Sequence, residues 1–311
     1  MHEHLFISYP GSEFDPLQVY DRAALVAEAV RRLSALRERG VSTFVDPCPI
    51  ELGRDVSVMA EVSERSGVAI VCTTGFYHEE RGLPFYWRSA PAEEIAALYI
   101  REIETGVGTT GIRAGAIKCA TSSQAIGPVE EKFMVAACIA HNATGVPIIT
   151  HTDKGLGGPE QQHLFAQHRV AAHHCLIGHC CGSPHHAYHR QIVEAGSYIG
   201  FDRIGAALFQ SDEVRADNLV RLIKGGFHEH VMISHDRSCG VRGFRMPGGF
   251  AGEWVRGLMA AGDWPPDFSY IFTHFIPMLV QRGIDPQIID RILIDNPRRF
   301  FDGVQAPMRA T

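Results

Sequence analysis

The chain has 311 residues, 45% hydrophobic and 21% charged, which is ample material for a large core and excludes a disordered or fibrous protein. With 35 acidic residues against 29 basic ones the net charge is −6, and Lys and Arg nowhere gather into the stripe that a phosphate backbone requires, so nucleic acid is not an expected partner. No apolar run nears the ~18 residues of a membrane span, Met1-His2-Glu3-His4 lacks the pattern of a secretion signal, and the eight cysteines are too sparse for a disulfide scaffold. These features predict a cytoplasmic protein with reduced thiols and no membrane contact.

In chain order, a fragment around residues 1–5 is the first candidate strand. Residues 22–39 place Leu25, Val26, Ala29, Val30, Leu33 and Leu36 at helical spacing and stop at Gly40. Short β-branched runs follow at 41–45, 68–73, 114–119, 146–150, 175–178, 197–201 and 231–234. Helical patterns separate most of them, at 93–104, 130–142, 161–172, 184–194 and 212–224, with Ser183-Pro184 as a candidate N-cap and N1 pair. A Gly-rich stretch, 237–270, carries Trp254, Trp264 and Phe268 and reads as a folded lid. Closing helices are expected at 275–282 and 286–301.

Eight strands alternating with helices over roughly 240 residues match a (β/α)₈ TIM barrel, typically about 250 residues long. No linker divides the chain, so a single domain over 1–311 is expected. A doubly wound open sheet is the alternative, but no G-x-G-x-x-G turn follows the early strands.

Barrel active sites lie at the C-terminal strand ends, so the residues ending each strand matter most. His2 and His4 are two apart and share a face by strand alternation. Lys118 ends an apolar run, His151 follows Pro147-Ile148-Ile149-Thr150, His179 follows Leu176-Ile177-Gly178, and Asp236 follows Ile233-Ser234-His235. Four histidines and an aspartate on one rim suit Zn²⁺ or a similar borderline ion such as Co²⁺, Mn²⁺ or Fe²⁺; Mg²⁺ or Ca²⁺ would call for more carboxylates.

This order of ligands resembles the phosphotriesterase-like family, including its lactonases, within the amidohydrolase superfamily. The matching pieces are His2-Glu3-His4-Leu5-Phe6, Thr74-Gly75-Phe76-Tyr77, Ile117-Lys118, Thr150-His151-Thr152, Ile177-Gly178-His179, Gly200-Phe201-Asp202-Arg203, Ser234-His235-Asp236 and Asn296-Pro297. The resemblance implies two divalent metal ions. His2, His4 and Asp236 would hold one, His151 and His179 the other, and an N6-carboxylated Lys118 would bridge them together with a hydroxide. A bare ammonium repels cations, so Lys118 ligates only when neutral or carboxylated. Asp236 would also carry the proton of the attacking hydroxide. The implied activity is hydrolysis of lactones or related esters, with promiscuous phosphotriester turnover. Tyr77 and Arg203 are lactonase-like at positions where specialised phosphotriesterases carry Trp and His; read without the family, they are a packed aromatic and an ion pair with Asp202. Family members are commonly homodimers.

Two departures stand out. Many members carry an aspartate proton relay three residues after the histidine matched by His179, and here that position is Gly182. Members also begin well before their His-x-His motif, whereas one residue precedes it here, so either the start is clipped or the first strand is a stub with a loosened His2/His4 site. The rival functions are therefore a dedicated phosphotriesterase or esterase, and a catalytically weak metal-containing barrel that binds a ligand.

Other histidines read as decoys. His228-Glu229-His230 precedes the eighth strand, and six residues at ~3.3 Å put His230 about 20 Å from Asp236. His185 and His189 are i, i+4 on a predicted helix without a third donor and read as surface residues. The crowd His173, His174, Cys175, His179, Cys180 and Cys181 is split by a strand, against a zinc knot. Cys119, beside Lys118, should face the helices. Phe244, Phe250 and Trp254 are candidate pocket walls.

Overall fold

A computed structural model describes residues 1–243 and 267–302. Seven parallel strands run side by side in chain order: β2 Thr43–Asp46, β3 Ala69–Gly75, β4 Ala116–Thr121, β5 Ile148–Thr152, β6 Cys175–Ile177, β7 Tyr198–Phe201 and β8 Val231–Ile233. Each is hydrogen-bonded to the next, with registers such as Lys118 opposite Ile149 and Gly200 opposite Met232. The helices α1 Arg22–Glu38, α2 Val56–Ser66, α3 Phe85–Ser89, α4 Ala92–Glu104, α5 Pro128–Thr144, α6 Gly158–Gln167, α7 His186–Glu194 and α8 Asp212–Lys224 form the crossovers. The fold is α/β, a parallel sheet with helical crossovers.

The predicted first strand pairs elsewhere. β1, His4–Ser8, pairs in parallel with β9, Ser238–Arg242, as a separate two-stranded sheet. Upstream of β1, Glu3 N–H donates to Val45 O (3.1 Å) and Asp236 N–H donates to His2 O (3.0 Å), and at its first residue His4 N–H donates to Arg237 O (2.7 Å). The N-terminal segment thus bonds to the end of β2 on one side and to the chain leaving β8 on the other. Of the two alternatives for the start, the stub with a loosened site is corrected: β1 runs five residues from the second histidine, and both His2 and His4 are buried.

Strand alternation divides the core. Ala116, Ile149, Leu176, Tyr198 and Met232 pack together with Phe300 on the inner face, while Ile117, Cys119, Ile148 and Ile177 pack against helix residues such as Phe133 and Met134. Lys118 and His151 lie one repeat beyond Ala116 and Ile149 and so share the inner face. At the other end of the sheet, buried Asn296 donates to the carbonyls of His228 (2.8 Å) and Val231 (2.7 Å), and the Phe300 ring meets Tyr198 at 5.3 Å.

Several local expectations change. α2 was not foreseen, although Asp55 caps it by accepting from Ser57 and Val58 N–H. α6 stops at Gln167 rather than 172. Pro184 is not N1, because α7 starts at His186 while Ser183 Oγ accepts from His185 N–H. Part of the expected lid is β9. Trp254 and Trp264, like the wall candidates Phe244, Phe250 and Trp254, lie outside the described residues. Among the described residues, no helix is long and apolar enough to cross a membrane.

Candidate metal centre

The strand ends bring the predicted ligands to one place. The ring centroids of His2 and His179 are 4.6 Å apart in a tilted pair, those of His179 and His151 4.5 Å and those of His2 and His4 5.5 Å, both edge-on. Ligand atoms of His2, His179 and Asp236 all lie within 4.8 Å of one another. Asp236 Oδ1 is 3.3 Å from His4 Nε2 and 3.8 Å from His2 Nε2, and its Oδ2 is 3.7 Å from His179 Nε2. Lys118 Nζ, buried, donates to His2 Nε2 at 3.1 Å.

Two of these residues reach the centre by bending the backbone. His179 and Asp236 have φ of 60° and 55°, the left-handed region that residues with a Cβ seldom enter. Ile177 faces the helices, so unbroken alternation would send residue 179 the same way; the turn at His179 redirects it inward. Such conformations persist where surrounding contacts hold them, and both are held here by carboxylates.

Two aspartates behind the imidazoles are residues that sequence reasoning missed. Buried Asp202, at the end of β7, accepts from His2 Nδ1 at 2.9 Å through one oxygen and from His179 Nδ1 (3.0 Å) and N–H (2.8 Å) through the other. Buried Asp46, ending β2, accepts from His4 Nδ1 at 3.0 Å and from Leu5 N–H at 2.9 Å. With Nδ1 donating, each imidazole turns its Nε2 to the centre, the arrangement that orients metal-ligating histidines. Both aspartates end strands, so the rule that found Lys118 and His151 would have found them.

The electrostatics fit a cation. Burial, with Lys118 beside His2 and His179 beside His151, depresses both imidazoles, so they are neutral donors. Burial opposes charge on Asp236, yet His179, Arg203 and His4 outweigh it and hold the carboxylate far below its ordinary range. Burial also disfavours the charged form of His4, but the flanking Asp236 and Asp46 raise it well above the usual value. A metal ion at that spot would take the proton's place. Burial lowers Lys118 to about 8, so a share of it is free amine at neutral pH.

Tyr77 and Arg203 border the same space. Tyr77 Oη lies 3.2 Å from His151 Nδ1, and Tyr77 N–H donates to Glu51 Oε1 at 2.7 Å. The Arg203–Asp202 ion pair is corrected: Arg203 Nε donates to Asp236 Oδ2 at 2.9 Å and its guanidinium sits 4.3 Å over the Phe209 ring. Gly182 follows the turn after His179, and a Cβ there would meet the Lys154–Gly155 backbone at 3.2 Å.

The chain matches the phosphotriesterase family model over residues 1–301. It belongs to the phosphotriesterase family. It is 34% identical to a phosphotriesterase homology protein of Mycobacterium tuberculosis, covering 97% of this chain and 92% of that one. It is also 34% identical to an aryldialkylphosphatase of Saccharolobus solfataricus, covering 97% and 93%. A mutant of a Deinococcus radiodurans PTE-like lactonase superposes with a TM-score of 0.88 at 36% identity, over 96% of this chain and 94% of that one. As a member of this family, the chain is a hydrolase.

The decoys fall elsewhere. His228 and His230 sit in the turn that enters β8, at the end held by Asn296. His189 is corrected from surface to buried, its Nε2 donating to Cys180 O at 2.9 Å, while His185 is exposed. His174 pairs with His141 at 3.1 Å rather than joining a cysteine knot. Cys119 faces the helices, where burial pushes its thiol well up.

Proposed function

We propose that the chain is a binuclear metal-dependent hydrolase of lactones and related esters, with phosphotriester turnover as a side activity. The N-terminal segment would serve as the eighth stave that closes the sheet into a (β/α)₈ barrel. The observation that carries the reading is the buried Asp202, whose two oxygens fix the imidazoles of His2 and His179 and aim both Nε2 atoms at Asp236. A decorative histidine cluster has no need of a shared buried carboxylate.

His2, His4 and Asp236 would hold one ion and His151 and His179 the other, with Lys118 between them. A pair of divalent cations, zinc by the donor set, would lower the pKa of a water between them and polarise the substrate's carbonyl or phosphoryl oxygen. Lys118 supports this as a free amine that condenses with CO₂, forming an N–C bond and releasing a proton, to give the anionic carbamate that cations require.

The other residues position and move protons. Asp236 is kept ionised by Arg203 and His4, and with 13% of its side chain exposed it is the member of the cluster able to hand a proton to solvent. Arg203 can swing from Asp236 to the oxygen on which charge develops, and Tyr77 Oη is placed to donate to the ring oxygen that leaves as a lactone opens. The lactonase relative supports the lactone assignment, and the Saccharolobus aryldialkylphosphatase supports a dedicated phosphotriesterase as the second reading.

A panel of γ- and δ-lactones, acyl-homoserine lactones and one aryl phosphotriester, run on zinc-loaded protein, tests the reading. The expected result is higher kcat/KM on a lactone, and loss of ~10²-fold or more in Asp236→Asn on every substrate. Higher kcat/KM on the phosphotriester would select the second reading. A loaded chain inactive on all of them would make it a binding protein.

A further inference from the structure

Glu3 stands between two proposed ligands, and alternation turns it away from both. Its buried carboxylate meets the chain leaving β8. Oε1 accepts from the backbone N–H of His235 at 2.8 Å and from the His235 ring Nδ1 at 2.6 Å, while Oε2 accepts from the backbone N–H of Arg237 at 3.0 Å. The two backbone donors flank Asp236, the residue at φ 55°. Main-chain bonds on either side, Asp236 N–H to His2 O and His4 N–H to Arg237 O, tie the same two segments together.

The ring of His235 completes the brace. Because Nδ1 donates to the carboxylate, Nε2 carries the lone pair, and it accepts the N–H of Ile271 at 3.1 Å. The brace therefore joins the His2-Glu3-His4 segment, the turn bearing Asp236 and the start of the C-terminal helical region.

We propose that Glu3 is a positioning residue for the metal centre, its two oxygens spanning Asp236 and holding the left-handed turn that aims the Asp236 side chain at His2, His4 and His179. The role rests on the reading of Asp236 as a metal ligand. It demands two acceptors on one short side chain. Gln offers one oxygen and would set its NH₂ against an N–H donor, and Asp is one methylene too short to reach both sides. A carboxylate that merely fastens the N-terminal segment to the sheet would stabilise the fold without tuning the ligand, and the two roles separate by measurement.

The experiment uses full-length protein and measures zinc affinity by competition with a chromophoric chelator, alongside thermal unfolding. Glu3→Gln is expected to weaken one of two zinc ions by ~10–100-fold, the usual cost of losing a group that orients a ligand. The control is Glu102→Gln, which breaks a buried pair with Arg54 that touches none of the proposed ligands and lowers Tm alone. Zinc binding as tight in folded Glu3→Gln as in the wild type, or a loss no larger than in Glu102→Gln, overturns the clamp. Should Glu3→Gln fail to fold, His235→Ala keeps both backbone bonds and removes the ring donor; a smaller loss in the same direction supports the clamp, and no loss overturns it. A wild-type chain that binds no zinc overturns the metal centre and the clamp with it, whereas tight binding by wild type and variant alike overturns the clamp alone.

Discussion

At the rim, His2 and His179 give Nδ1 to Asp202, His4 gives Nδ1 to Asp46, and all three turn Nε2 inward. In the helical shell, His141 gives Nδ1 to the Val146 carbonyl and His189 gives Nε2 to the Cys180 carbonyl. Both sets are buried and both have partners, so neither burial nor the count of histidines separates them. The partner does. A carboxylate behind the ring keeps negative charge next to a nitrogen lone pair, which favours a cation in front, whereas a carbonyl satisfies one N–H and fixes a turn.

The contrast breaks most directly at Asp202. Asp202→Asn leaves the volume unchanged but weakens the brace on two imidazoles at once, and metal affinity is expected to fall ~10–100-fold by chelator competition. His141→Gln, the matched change in the shell, should leave metal content unaltered and cost about 1 kcal/mol of stability in denaturant unfolding. Equal effects on metal binding at both sites would dissolve the distinction.

Lys118 sharpens the contrast through pH. Its folded pKa, lowered by burial to about 8, means that the free amine fraction falls about tenfold for each unit below that value. Reactivation of metal-stripped protein with zinc at a fixed concentration of dissolved CO₂ should slow in that proportion between pH 8 and 6; a flat rate under that condition would argue against carboxylation at this residue. The sign for folding is the reverse of a salt-bridged lysine. Because the unfolded chain holds this proton up to the ordinary lysine value, the group's contribution to stability rises with pH from about 8 toward that value.

A smaller effect is expected at Tyr77, which touches His151 and is no ligand in the proposed set. Tyr77→Phe should lower lactone kcat/KM about tenfold, the worth of one hydrogen bond to developing charge, and change phosphotriester turnover less. A drop shared equally by both substrates would make Tyr77 a packing residue beside His151.

Much of this contrast was legible in the chain because apolar β-branched runs mark parallel strands and the polar residues closing them stand out. Lys118, His151, His179 and Asp236 were found that way. The strands were read as ending early where they continue through polar residues, such as Thr121 and Thr152, which are buried at the rim. β9 was lost because Ser-Cys-Gly-Val-Arg is half-exposed and pairs with β1 alone, so it carries little hydrophobic signal. Asp202 was seen only as a neighbour of Arg203, although it closes β7 as Lys118 closes its own apolar run; the left-handed turns that bring His179 and Asp236 to one centre leave no pattern in sequence. Glu3 was hidden likewise, since its partners lie 232 and 234 positions away.

The most direct test of the account is an anomalous difference map at the zinc edge from crystals of zinc-loaded protein. The account predicts two peaks about 3.5–4 Å apart, one among His2, His4 and Asp236 and one at His151 and His179, with density extending from Lys118 Nζ toward both. Zinc absent from these side chains, or a lone ion beside an unmodified Lys118, would contradict it.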